Sequence, residues 1–293
     1  MHNFTRRDFL KTTGLAMGAA GVAGLTTGVS QAAAPSKELR VLQIGVGGIG
    51  NMDRRRIMNH PNARIAGLCD VNAENLKKVA GEIPDAFTTK DYRKAFADHA
   101  DEFDAVNVCT PDHTHAAPML MALAYDKHCY GQKPLVQQLE ELSLLEQAAA
   151  AKPHLATQTG NQRMNNEGRQ LAVEILSKDM LGPATAAYVW TGASRGSAKP
   201  YEKPSLEAVP DWLDWDLWLG PAPVQDYRKR IVPSLWRSWW EFGSAGLGDW
   251  GVHLIDVVMY SYPELTSPVT VRTETPTGRG LVPHHRVQVH HDV

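Results

Sequence analysis

The chain has 293 residues, 43% of them hydrophobic and 21% charged, with a formal net charge of −2. That length holds one large or two ordinary domains. So small a net charge argues against nucleic acid or an anionic membrane as the main partner and favours a small, nearly neutral molecule.

The N-terminus reads as an address and not as part of the fold. The stretch TRRDFLK, residues 5–11, matches the twin-arginine export pattern, and a Gly/Ala-rich run from Leu15 to Val29 follows it. SQAAAP then supplies small residues suited to cleavage near Ala32 to Ala34. The apolar run is roughly 15 residues, short of the roughly 20 that a membrane span needs. A signal peptide over residues 1–34 is therefore expected, with no stable membrane anchor. The expected partner is the twin-arginine translocation machinery, and the expected destination is the periplasm. Cys69, Cys109 and Cys129 each lie near the end of a separate apolar segment. They are expected as buried free thiols, in neither a disulfide framework nor a metal site.

From residue 38 onward, apolar runs alternate with helical stretches. A strand from Val41 to Val46 runs straight into glycines and the helical NMDRRRIMNHP. ARIAGLCD is a second strand and AENLKKVAGEI a second helix. DAVNVCTPDHTH is a strand ending in a loop, followed by the helix HAAPMLMALAYDK. HCYGQKPL, residues 128–135, is a fourth strand, and LEELSLLEQAAAAK a fourth helix. The alternation predicts a parallel sheet with helical crossovers over residues 38–160. Beyond Gly160 the character changes, so a second domain is expected over residues 161–293. EGRQLAVEILSKD predicts one amphipathic helix and ATAAYVWTGA an apolar strand. A stretch rich in Pro, Trp and Asp follows, and all eight tryptophans fall between Trp190 and Trp250. They suit either a carbohydrate-stacking pocket or a buried interface.

Gly45, Gly47 and Gly50, with Gly48 and Ile49 between them, form G-x-G-x-x-G after a strand and at the start of a helix. Asp70 ends the next strand at the spacing of a dinucleotide site. The glycines give a tight turn and let a pyrophosphate approach backbone N–H groups. Asp70 would bind the adenosine ribose and repel an extra phosphate, and Val71 and Asn72 supply no arginine to offset that. NAD is expected as cofactor, ahead of NADP.

Ligands of open parallel sheets bind beyond the carboxyl ends of the strands. CTPDHTH and YGQKP end two such strands, so both point at the nicotinamide. An ammonium there, Lys133, would bind a substrate hydroxyl and favour its alkoxide; the plain alternative is a solvated charge at a strand end. In GDWGVHLID, Asp249, His253 and Asp256 are spaced i, i+4, i+7 and predict one helical face. A His beside an Asp is a natural general base. The alternative is a capped helix with a satisfied core histidine. A metal site built from Asp249, His253, His113 and His115 is less favoured, because activating a hydroxyl in this way needs no ion.

Taken in order, the glycine motif, Asp70, TPDHTH at Thr110 to His115, Lys133-Pro134 and GDWGVHLID resemble the glucose–fructose oxidoreductase/inositol dehydrogenase/MocA (Gfo/Idh/MocA) superfamily. The resemblance runs from Glu38 to Tyr260. It implies an α/β chain with an N-terminal Rossmann domain and a C-terminal α/β domain carrying an open, mainly antiparallel sheet. A small carbohydrate substrate would lie between the two, and homo-oligomers are possible. Carried over by position, it implies Lys133 and His253 as the catalytic pair with Asp249 assisting. Thr110, Pro111 and His115 would lie along the cofactor and pocket, and Arg237 is a weaker candidate for a substrate contact.

The chain departs from the family twice. Gln132 stands where Glu usually precedes Lys-Pro, and the resemblance fades after Tyr260, so the second sheet is expected to be incomplete. Export adds a chemical constraint: an NAD enzyme outside the cytoplasm should carry its cofactor out tightly bound and end each cycle in its starting state. A sugar or polyol oxidoreductase acting on two substrates satisfies this. So does a glycosidase that oxidises transiently, eliminates, hydrates and reduces again. A non-catalytic cofactor-binding protein is the third reading.

Overall fold

The structure is a computed structural model that describes residues 38–184, 186–190, 204–244, 246–265, 270–274 and 286–290. The signal peptide expected over residues 1–34 lies outside the described residues. Six strands form one sheet: β1 (Leu39–Ile44), β2 (Ala63–Cys69), β3 (Phe87–Thr89), β4 (Ala105–Val108), β5 (His128–Gln132) and β6 (Thr157–Gly160). Their order is β3-β2-β1-β4-β5-β6, and every neighbouring pair is parallel. Five helices link them: α1 (Gly48–Met58), α2 (Ala73–Glu82), α3 (Tyr92–His99), α4 (Ala116–Ala124) and α5 (Leu139–Ala150). This is the Rossmann arrangement that the alternating pattern predicts.

Consecutive residues of the central strands are buried, Val41 to Ile44 in β1 and Ala105 to Val108 in β4. Helices cover both faces of the sheet, so no strand has a solvated side on which polar residues could alternate. One core layer joins Leu42, Ile44, Val106 and Val108 to Phe96, Met119 and Leu145. The opposite layer joins Val41, Val46, Ile65 and Leu68 to Val79. Cys69, Cys109 and Cys129 are buried and free.

Both edge strands escape the sequence pattern. β3 has three residues, and β6 is TQTG with its first three residues exposed. Neither offers the apolar run by which a buried strand is recognised. The apolar ATAAYVWTGA fails in the opposite sense. Its described residues 186–190 form no strand, and Tyr188 and Trp190 stand 74% and 80% exposed. No strand among the described residues pairs with them, so hydrophobicity alone leaves the segment irregular.

Beyond β6 come α6 (Glu167–Ser177), α7 (Trp215–Leu219) and α8 (Val252–Ser261), then two antiparallel strands, β7 (Thr270–Glu274) and β8 (Arg286–His290). An aromatic core of Trp218, Trp236, Tyr227 and Phe242 forms around Ile231 and Leu219. It is tied to the main sheet where Asn72 bridges Leu213 and where the Ala73 N–H donates to the Trp212 carbonyl at 2.8 Å. Most of the tryptophans are therefore packing groups of this strap, whereas Trp240 is 91% exposed. Among the described residues no helix is long and apolar enough to cross a membrane.

Candidate active site

The carboxyl ends of the strands line up by register. Ile44 pairs with Cys69 and Val108, Val108 with Gly131, and Gln132 with Gly160. Sheet order reverses between β1 and β4, where a doubly wound sheet opens a crevice for a ligand.

The glycine turn leaves β1 in this crevice. Gly45 has φ +82°, and a Cβ on it would lie 2.5 Å from the Cys109 carbonyl oxygen. A Cβ on Gly50 would lie 2.1 Å from the Gly45 carbonyl oxygen, so the first turn of α1 sits directly on the turn below it. Gly47 and Gly48 differ. The added carbon would meet only the Asn75 side chain at Gly47, and nothing within 4 Å at Gly48. Two positions thus fix the turn while two leave space above it. Gly47 caps α1 without a side-chain hydrogen bond, and the first turn carries no acidic residue. No side chain or acidic group thus competes at this helix start, which suits it to an anion. These features fit the pyrophosphate of a dinucleotide.

Asp70 closes the other side of the turn. Its Oδ2 accepts the Val46 N–H at 2.9 Å and its Oδ1 the Asn72 N–H at 2.8 Å. Burial pushes its carboxyl up, while those N–H groups pull it back down. With the Gly47 N–H also on this carboxylate, acceptor capacity is still left for a ribose hydroxyl.

Lys133 follows the last residue of β5, at a cis peptide to Pro134. Its Nζ donates to both the backbone carbonyl and the Oδ1 of Asp249, each at 2.7 Å. Its side chain is 13% exposed and that of Asp249 18%. The GDWG turn rests on the proline: a Cβ on Gly248 would lie 3.6 Å from Pro134 Cγ. Two motifs 116 residues apart thus meet at one ammonium.

Asp249 is not on a regular α-helix. Residues 247–251 form a π-helical turn that leads into α8, which carries His253 in its first turn. The expected shared face of Asp249, His253 and Asp256 accordingly breaks up. Asp256 accepts from Arg169 Nε of α6 at 2.6 Å and belongs to a helix–helix ion pair. His253 stays by Lys133 and Asp249. Burial holds its imidazole below the ordinary histidine value, helped by the positive charges of Lys133 and Arg163 and opposed by Asp249. Its Nδ1 is buried without a hydrogen-bond partner.

The histidines of TPDHTH both face backbone carbonyls, to one of which a neutral ring can donate. His115 Nδ1 lies 2.7 Å from the Pro134 carbonyl and Nε2 2.7 Å from the Thr110 carbonyl, so its ring clamps the β4 loop to the lysine strand. His113 sits between the Phe242 and Trp218 carbonyls, and burial takes its pKa down to about 4. Thr110 and Pro111 are part-exposed at the crevice, the Thr110 N lying 3.1 Å from where a Gly45 Cβ would stand. Arg237 stacks on Trp236 at 4.2 Å. Among the described residues no three His, Cys, Asp or Glu side chains form a set able to hold a metal.

Four residues that sequence reasoning did not single out complete the crevice floor: Gln43, Asp53, Asn107 and Gln162. Gln43 and Asn107 interrupt apolar strands at fully buried positions, a visible signal. Asp53 is hidden within a run of charges that reads as a solvated helix face.

Comparison with known proteins agrees with this geometry. Residues 39–159 match the family model described as the NAD-binding Rossmann fold of an oxidoreductase family, and residues 183–289 match that family's C-terminal alpha/beta domain. The chain is 31% identical over 147 residues to an inositol 2-dehydrogenase of Cereibacter sphaeroides, covering 50% of this chain and 42% of that one. It is 26% identical over 161 residues to a glycosyl hydrolase family 109 protein of Saccharopolyspora erythraea, covering 47% of this chain and 35% of that one. The chain thus spans less than half the length of these curated relatives. Among solved structures, the WlbA dehydrogenase of Chromobacterium violaceum in complex with NADH and UDP-GlcNAcA superimposes with a TM-score of 0.59. The identity is 18%, over 87% of this chain and 64% of that one, a likeness of fold.

Proposed function

We propose that this chain, which belongs to the Gfo/Idh/MocA oxidoreductase family, is an exported NAD-dependent oxidoreductase that acts on a sugar or polyol hydroxyl and holds its cofactor tightly. The observation that carries the reading is the Lys133 ammonium locked on Asp249 beside an imidazole kept neutral, at the carboxyl end of the strand next to the cofactor turn. The inositol 2-dehydrogenase relative supports a polyol or sugar as substrate class, and TRRDFLK supports export.

The roles follow from charge and position. The backbone N–H groups at the start of α1 would hold the pyrophosphate, and Asp70 the adenosine ribose. When bound, NAD supplies the acceptor for the hydride that leaves the carbinol carbon. Lys133 donates a hydrogen bond to the substrate hydroxyl and stabilises the negative charge that grows on its oxygen. Asp249 fixes the direction of that donor. His253 takes the hydroxyl proton. Burial, with two like charges nearby, keeps the ring neutral beforehand, and Asp249 moderates that repulsion once the ring is protonated. In the return half of a cycle with a bound cofactor, His253 would give its proton to the oxygen of a second, carbonyl substrate, with Lys133 holding that oxygen.

Mass spectrometry of the exported protein should find bound NAD, and the nicotinamide absorbance should change with members of a sugar and polyol panel. Lys133→Ala should lower that turnover by about 100-fold or more; full turnover would sink the assignment. The family 109 relative favours a second reading. Cleavage of nitrophenyl glycosides without net NADH would establish transient oxidation in place of net oxidation.

A further inference from the structure

Two runs of hydrogen bonds meet at Asp53 and Cys109 under the crevice, one from the cofactor turn and one from the lysine strand, and the direction of each can be read from its outer end. At one end the Gly45 carbonyl, which can only accept, is bonded by Gln43 Nε2 at 2.8 Å. Gln43 Oε1 must then accept, and Asn107 Nδ2 donates to it at 2.7 Å. Asn107 Oδ1 faces the Cys109 thiol at 3.5 Å, and that thiol also points at Asp53 Oδ2 at 3.4 Å. At the other end the Gly160 carbonyl accepts from Gln162 Nε2 at 3.3 Å. The same amide donates to Gln132 Oε1 at 2.6 Å, so Gln132 Nε2 is the donor left to face Asp53 Oδ2. Two fixed carbonyls thus orient every amide between them; the single Cys109 S–H serves either Asn107 Oδ1 or Asp53 Oδ2, so Gln132 is the one amide donor that ends on Asp53. Asp53 is 6% and Gln132 3% exposed, so water does not substitute for either partner.

We propose that Gln132 and Asp53 are a matched donor–acceptor pair that positions Lys133. On this reading, which rests on the catalytic role of Lys133 proposed above, the amide at 132 is required because a carboxylate stands opposite it. The glutamate usual before Lys-Pro in the family would set two acceptors face to face. One would have to take up a proton, or the strand end carrying Lys133 would have to retreat from α1. Gln132 is a positioning residue, because it acts through Lys133 and does not touch a reacting atom. The Cys109 thiol and the Tyr130 phenol are ionisable groups near Asp53, with Arg56 of α1 acting on the phenol; Lys133, next in sequence to Gln132, turns its ammonium to Asp249. Burial and Asp53 push both the thiol and the phenol up, the phenol to about 12, so neither titrates in the physiological range.

The test uses the NAD-loaded chain and four variants: Gln132→Glu, Asp53→Asn, the double variant, and Gln132→Met. In Gln132→Glu a carboxyl of the pair is raised in the folded state, so its stability is complete at low pH and is lost as pH rises. Its Tm relative to wild type should therefore fall by about 3–6 °C between about pH 5 and pH 8, the span of a tenfold change in folding. In the double variant the new amide at position 53 donates to the new carboxylate at position 132, and the slope should vanish. Gln132→Met removes the donor without adding charge and should lower Tm equally at every pH. The His253 titration, read by proton NMR, should move toward the ordinary histidine value in Gln132→Glu and return in the double variant, because the nearby ammonium depresses it. A flat Tm difference in Gln132→Glu, a slope kept by the double variant, or an unchanged Tm in Gln132→Met overturns the pair. A pH slope with an unmoved His253 titration overturns its hold on Lys133. None of these readings needs turnover, so they stand apart from the activity test on Lys133→Ala.

Discussion

Replacing Gly50 by Ala tests the construction of the cofactor turn. Gly50 lies in α1 without a positive φ, so the effect is purely steric. The new Cβ would stand 2.1 Å from the Gly45 carbonyl oxygen, 3.0 Å from its carbon and 3.1 Å from Gln43 Nε2. All but the last are backbone atoms of the turn that holds the pyrophosphate. Ordinary contact between such atoms begins near 3.4 Å, so turn and helix must separate by about 1.3 Å. Overpacking of that kind costs about 1–3 kcal/mol, a Tm fall of about 2–12 °C for a domain of this size. A displacement of about 1 Å in a binding frame costs about 100-fold in function, so NADH affinity should fall by about that factor. Quenching of tryptophan fluorescence by NADH, with thermal denaturation of the same samples, reads both quantities. Gly81→Ala is the control: it lies in α2, and its Cβ meets nothing within 4 Å. It should stabilise by about 0.5–1 kcal/mol and leave NADH binding alone. If Gly50→Ala binds NADH within about twofold of wild type at an unchanged Tm, α1 does not rest on the turn and the derivation fails.

Three further outcomes are expected. Catalytic efficiency should hold as pH falls past the ordinary histidine value near 6.5 and drop only below it, because His253 titrates low; Lys133→Met should raise that NMR-detected midpoint. Asp70→Ala should weaken NAD binding far more than NADP binding, since the carboxylate aids one and repels the other; an equal loss measured by calorimetry overturns the ribose assignment. Changing both Arg6 and Arg7 to Lys should leave the unprocessed precursor in the cytoplasmic fraction, and normal processing on an immunoblot would exclude the twin-arginine route.

The cofactor half of the site was legible because one continuous segment dictates it. β1, the glycine turn, α1 and β2 with Asp70 follow in order, and the steric demand at Gly50 comes from Gly45 within the same turn. The catalytic half was legible only as a set of motifs. Nothing in spacing tells that Lys133 reaches Asp249. The i, i+4, i+7 spacing misled only at Asp256, which Arg169 takes, while His253 stays near Asp249 across the π-helical turn. His113 and His115 look like ligands in TPDHTH, yet backbone carbonyls occupy both rings.

The crevice floor was illegible for a different reason. NMDRRR reads as a solvated charged helix face, but α1 lies with Asp53 and Arg54 inward, at 6% and 1% exposure. Arg54 turns its Nη2 to Asn51 and Glu82, both at 2.8 Å, and away from Asp53, whose hydrogen bonds come from the strand ends. A buried carboxylate needs donors, and those in reach are a thiol on β4 and an amide on β5. The choice of Gln before Lys-Pro therefore answers a residue 79 positions earlier. A departure from the family pattern at the lysine reflects a local hydrogen-bonding requirement of α1 and gives no reason to suppose that the lysine has lost its role.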